Sequence, residues 1–144
     1  MKDKDIMDLE VYKIKNNDWQ IVNEGKNIIL KLSAYKLSSW GDDSYLKIII
    51  KKELKTKTII IEWNSSDLVF ETHKTFFKFD NDLPDNLDCL ASDDKKSSII
   101  IDTDFVYDNL LKYNILIVRS SLQKSKTTRI FDISKFRDTI NGII

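Results

Sequence analysis

The strongest constraint on this chain is a succession of short runs of β-branched and aromatic residues. They lie at residues 19–22, 28–34, 45–50, 58–63, 68–71, 75–80, 115–119 and 127–132. Side chains that branch at Cβ are stiff at χ1 and pack well on a pleated surface, so such runs favour strands over helices. From Ile28 the residues alternate: Ile28, Leu30, Leu32 and Ala34 face one way. Ile48-Ile49-Ile50 and Ile59-Ile60-Ile61 break that alternation and predict strands covered on both faces. None of these runs approaches the ~18 apolar residues of a membrane-spanning helix.

The connections are polar. Residues 64–67 and 81–86 read as turns, and residues 51–57 as the charged tip of a hairpin. Two segments carry a helical period instead. Residues 104–112 place Val106, Leu110 and Tyr113 on one stripe, with Thr103 or Asp104 as the N-terminal cap. Residues 135–141 place Phe136 and Ile140 together, with Ser134 as cap and Gly142 as the stop. The expected fold is mainly β: an antiparallel β-sandwich, or β-rich α+β, with two short C-terminal helices. It is expected to be a single domain over residues 1–144, with residues 1–17 as a loosely ordered N-terminal arm and residues 18–144 as the β-sandwich.

Composition then removes whole classes of function. The 144 residues carry 23 basic and 23 acidic side chains. A net charge of zero is wrong for a non-specific nucleic-acid binder or a polybasic membrane anchor, so no specific nucleic acid is expected, and the short apolar runs predict no membrane span. With a single cysteine, Cys89, and a single histidine, His73, the chain has no internal disulfide and no histidine-rich metal site. The acidic, mixed start is not a secretory signal. The chain as written is expected to be cytoplasmic, or periplasmic if a leader was removed.

No phosphate-binding loop, dinucleotide fingerprint, nucleophile elbow or metal-ligand spacing is present, so no cofactor, metal or catalytic residue is assigned. His73 reads as a turn histidine rather than a general base. The carboxylate pairs Asp42-Asp43, Asp93-Asp94 and Asp102 with Asp104 read as turn and cap residues; the least favoured alternative is a metal-dependent hydrolase or nuclease using the Asp94 and Asp102 region. Trp19 and Trp63 lie in strands and belong in the core. The candidates for partner contact are loop residues: Trp40 and Tyr45 around a polar loop, Lys52 and Lys55 on the basic tip, Asp94, and Arg119 at a strand end. Arg119 is otherwise expected to pair with Asp80 or Asp132. Lys124, Lys126 and Arg129 would extend the basic tip into a patch.

The order of motifs resembles the type VI secretion-associated VasI/TagO family over about residues 19–140. Trp19 matches that family's opening strand, and Ile28 to Ala34 its alternating strand. Leu46, Ile48 and Ile50 match an L-x-I-x-C strand, with Ile50 at the cysteine position, and Trp63 ends the next. Phe77-Lys78-Phe79-Asp80 is similar to a Tyr-Arg-x-Asp strand end. Cys89 to Asp94 align with a W-x-x-S-x-D element, and Asp94 matches its aspartate. Phe105 to Leu110 follow an F-I-x-x-L helix start, Leu116 to Arg119 an L-x-V-R strand, and Thr128 to Ile140 the closing T-x-F-D-I element. The resemblance implies a non-enzymatic accessory protein that acts through protein or envelope contacts. The missing family cysteine and leader point instead to a reducing compartment. That leaves an alternative: a small intracellular inhibitor, of the toxin-immunity or phage anti-defence kind, that occludes a site on a protein partner.

Overall fold

The computed structural model describes residues 18–35 and 44–143. It is mainly β and antiparallel, with two short helices late in the chain. The strands are β1 (Gln20–Glu24), β2 (Asn27–Ser33), β3 (Tyr45–Lys51), β4 (Lys57–Glu62), β5 (Thr72–Phe79), β6 (Asp85–Ala91), β7 (Ser97–Ile100), β8 (Ile115–Ser121) and β9 (Lys126–Asp132). Helix α1 spans Thr103–Leu110 and α2 spans Phe136–Asn141. The strands are hydrogen-bonded as one sheet in the order β1-β2-β3-β4-β7-β6-β5-β8-β9.

The sheet curls. Beyond β2, the Tyr35 N–H donates to the Ile130 carbonyl of β9 at 2.7 Å, and Arg129 Nε donates to Ser44 Oγ at 2.9 Å. One sheet therefore wraps one core, a task that two separate layers share in a sandwich. That core takes Leu30 and Leu32 from β2, Leu46 and Ile48 from β3, Ile59 and Ile61 from β4, Phe77 from β5, and Leu116 and Val118 from β8. The helices close its open side. Helix α1 buries Val106, Tyr107 and Leu110, and α2 buries Phe136 and Ile140. Trp19 lies 5.1 Å from the Phe136 ring, and Tyr107 meets it edge-on at 5.5 Å. Fully burying one such large apolar side chain contributes about 2–3 kcal/mol. Both Trp19 and Trp63 are core residues as expected, although each lies one residue outside its strand, Trp19 before β1 and Trp63 after β4.

Several local expectations are corrected. The isoleucine triplets are not covered on both faces: β3 alternates strictly, burying Leu46, Ile48 and Ile50 and leaving Ile49 half-exposed. Both-face burial occurs instead in β8 and β9. Residues 68–71 form no strand. Val69 is buried, but its N–H goes to the Lys95 carbonyl and the Leu68 carbonyl accepts from Gln123 N–H. The acidic segment Asp85–Ala91 is a strand, β6, because β5 and β7 supply its partners on either side. Helix α1 is capped by Asp102, which accepts from Phe105 N–H at 3.4 Å. Lys135, not Ser134, occupies the cap position of α2, and Gly142 ends that helix in ordinary right-handed geometry. No helix among the described residues is long and apolar enough to cross a membrane.

Candidate functional site

The basic hairpin tip forms one wall of a cleft of about 490 Å³, lined by Asn23, Ile28, Ile50, Lys52, Lys55, Lys57, Tyr107 and Ile143. Its floor follows from strand register. Asn23 pairs with Ile28, Ile28 with Ile50, and Ile50 with Lys57, so four adjacent strands each place one side chain in a single row. Directly opposed side chains share a face. The tip between β3 and β4 adds Lys52 and Lys55, α1 adds Tyr107, and the residues after α2 add Ile143. The result is an apolar trough with an ammonium rim. No carboxylate lines it among the described residues.

Each lysine is held differently. Lys52 Nζ donates to Asn23 Oδ1 at 2.6 Å, which draws the amine over β1. Lys57 Nζ sits 4.2 Å above the Tyr107 ring centroid. Burial pushes the Tyr107 phenol above its ordinary value, helped by the nearby Asp108 charge, so the ring stays neutral beneath the cation. Lys55 sits in the left-handed region at φ 54°, where its N–H donates to the Lys51 carbonyl at 2.7 Å. That conformation normally calls for glycine or asparagine.

Two other sequence candidates meet elsewhere. Tyr45 and Asp94 line a polar hollow of about 230 Å³ with Lys31, Glu62, Asn64, Lys96 and Ser97. Lys31 Nζ lies 4.2 Å over the Tyr45 ring and 3.2 Å from Glu62 Oε1. Asp94 works as a turn acid. Its Oδ1 accepts from Ser92 Oγ at 2.7 Å and from Lys96 N–H at 3.0 Å, and the Ser92 bond leads in holding its carboxyl below the usual range. Arg119 lies apart from both hollows, where its Nε donates to Thr128 Oγ1 at 2.9 Å. Of the acids expected beside it, Asp80 accepts from the Asn114 and Ile115 N–H groups, and Asp132 accepts from the Ser134 N–H and hydroxyl. Arg129 is buried against Ser44, so it does not extend the basic tip. Lys124 and Lys126 do not line the cleft either. Trp40, Asp42 and Asp43 lie outside the described residues.

His73 belongs to a network that sequence reading missed. Its Nδ1 lies 2.8 Å from the Phe70 carbonyl and its Nε2 lies 2.6 Å from Ser98 Oγ. Ser98 Oγ also accepts from the buried Trp63 Nε1 at 2.8 Å. A carbonyl can only accept, so Nδ1 carries the proton and Nε2 accepts from the serine hydroxyl. The polar order is then complete: Trp63 N–H to Ser98 O–H to neutral His73 to Phe70 carbonyl. Burial pushes His73 below its ordinary value, opposed by the Phe70 bond.

Cys89 stands opposite His73 in the β5–β6 register, and both line a shallow hollow with Asp88. Cys89 Sγ donates to Thr75 Oγ1 at 3.3 Å, and burial pushes the thiol up, away from the thiolate that nucleophilic chemistry needs. Asp102 is engaged as a helix cap and Asp94 as a turn acid. Among the described residues no three His, Cys, Asp or Glu side chains gather as a metal site. In comparisons with known proteins, no family model, curated protein or solved structure matches the chain.

Proposed function

We propose that this chain is a non-catalytic binding protein that engages an acidic protein partner through the cleft at the β3–β4 tip. One observation carries the reading: a chain of zero net charge gathers Lys52, Lys55 and Lys57 around an apolar floor. Apolar floors supply affinity, while a local concentration of one charge steers and selects the partner. The resemblance to VasI/TagO proteins makes a secretion-machine or envelope component the first partner to seek. The intracellular inhibitor is the second reading, favoured by a lone cysteine that sits buried as a free thiol.

The test is a tagged capture from source-cell lysate, comparing the wild type with Lys52→Glu/Lys55→Glu. A partner recovered by the wild type, lost to the double variant and weakened by salt supports the cleft. Equal recovery by both chains refutes it. Secretion or envelope components favour the first reading, and one stoichiometric toxin or defence enzyme the second.

A further inference from the structure

Strand β1 forms the open edge of the sheet. It pairs with β2 alone among the described residues, and all five of its residues are exposed. Ile21 is 49% exposed and Val22 46%. An unpaired edge presents a row of backbone donors and acceptors that an extended segment can complete. Here that edge also borders the cleft, because Asn23 is the first member of the row Asn23–Ile28–Ile50–Lys57 that lines it.

We infer that the acidic partner docks as an added β-strand along β1, with one carboxylate side chain opposite Asn23. This rests on the cleft reading above and specifies its partner. A strand added beside β1 lies about 4.8 Å away, and its side chains continue the existing rows. A residue opposite Asn23 becomes the next member of the cleft row. Lys52 Nζ already reaches that position, hydrogen-bonded to Asn23 Oδ1. A carboxylate there meets the ammonium group directly.

The neighbouring positions fix the rest of the motif. Ile21 heads the row Ile21–Leu30–Ile48–Ile59, which is buried everywhere except at Ile21 itself. An apolar partner residue opposite Ile21 completes it. Val22 heads the row Val22–Ile29–Ile49–Thr58 on the other face, where a β-branched residue packs best. The recognised segment is an acid and an apolar residue two positions apart, with a β-branched residue between them.

A second copy of this chain does not meet that requirement. Antiparallel self-pairing that keeps each face matched sets inward residues against inward residues. The inward residues of β1 are Ile21 and Asn23, and Glu24 points the other way. No such register places an acid opposite Asn23.

The probe is a phage-displayed library of random peptides selected on the immobilised full chain, followed by synthesis of the enriched sequences. The expected peptides carry the acid and apolar pair around a β-branched residue. Their affinity falls by about tenfold or more with Lys52→Glu, with Val22→Lys and with backbone N-methylation of the peptide's β1-facing residues. Thermal melts of both variants control for folding, since both substituted side chains sit at the surface. Peptides that need Lys52 and Lys55 but tolerate N-methylation overturn strand addition and leave the cleft reading standing. Peptides that need neither lysine overturn both. No enrichment, or a dimer that Val22→Lys dissociates, also overturns the inference.

Discussion

Two lysines in the same strained backbone state allow strain and function to be separated. Lys55 at φ 54° tips the β3–β4 hairpin, and Lys95 at φ 60° tips β6–β7. For an L-residue the left-handed region costs about 1–2 kcal/mol. Glycine escapes that cost but brings extra unfolded-state freedom, which takes back about 0.5–1 kcal/mol. Lys55→Gly and Lys95→Gly are each expected to stabilise the protein by roughly 0.5–1 kcal/mol. For a chain this size that raises the melting temperature by about 2–4 °C. The backbone bonds at the two tips share no partner, since Lys55 bonds Lys51 while Lys95 bonds Ser92 and Val69, so the double variant should show the sum. Urea denaturation followed by circular dichroism measures it, as a raised midpoint at unchanged slope. The functional outcomes then diverge. Lys55→Gly removes an ammonium group from the cleft rim and weakens partner capture, whereas Lys95→Gly leaves it unchanged. A loss of stability in either variant refutes the strain argument. Undiminished capture by Lys55→Gly refutes the role given to its side chain.

Three further outcomes follow from the polar interior and the turns. Ser98→Ala strands the buried Trp63 N–H and removes the donor to His73, and is expected to cost about 2 kcal/mol in denaturant titration. An unfolded histidine titrates near pH 6.5. Because burial lowers the folded value of His73, the unfolded chain binds more protons as pH falls below that point. Stability is then complete above about pH 6.5 and declines as pH drops through the folded value; melts across that range should show the decline, and His73→Gln should abolish that part of it. Gly25 turns the β1–β2 hairpin at φ 62°, so Gly25→Ala is expected to destabilise by about 1 kcal/mol although its Cβ meets no neighbour within 4 Å; an unchanged melting temperature would show that the turn relaxes.

What the sequence disclosed follows the range of each signal. The isoleucine-rich strands and the stripes of α1 and α2 are local periodicities, and they were legible. Strand β6 was not: Asp85, Asn86 and Asp88 have poor strand preference, and the segment is extended because β5 and β7 flank it. The reverse error at Leu68 and Val69 has the same root. Their apolar character is real, but their backbone bonds run to Lys95 and Gln123 instead of a strand partner. The lysines of the cleft could be read as a charged tip. The rest of its lining could not, because Tyr107 and Ile143 come from distant parts of the chain. The chain from Trp63, just after β4, through Ser98 of β7 to His73 of β5 leaves no mark in any window of residues. Its one legible hint was a tryptophan at the end of an apolar run, whose indole N–H requires a partner when buried.

The curl of the sheet sets how this protein can assemble. Five of the seven residues of β9 are buried, and its Ile130 carbonyl is already taken by Tyr35. That leaves β1 as the reactive end among the described residues, and within them the sheet is monofunctional in the polymer chemist's sense. A fibre grows edge to edge only from units with two open ends. A unit with one terminates whatever it joins, so strand pairing through β1 yields a closed pair and acts as a chain stopper.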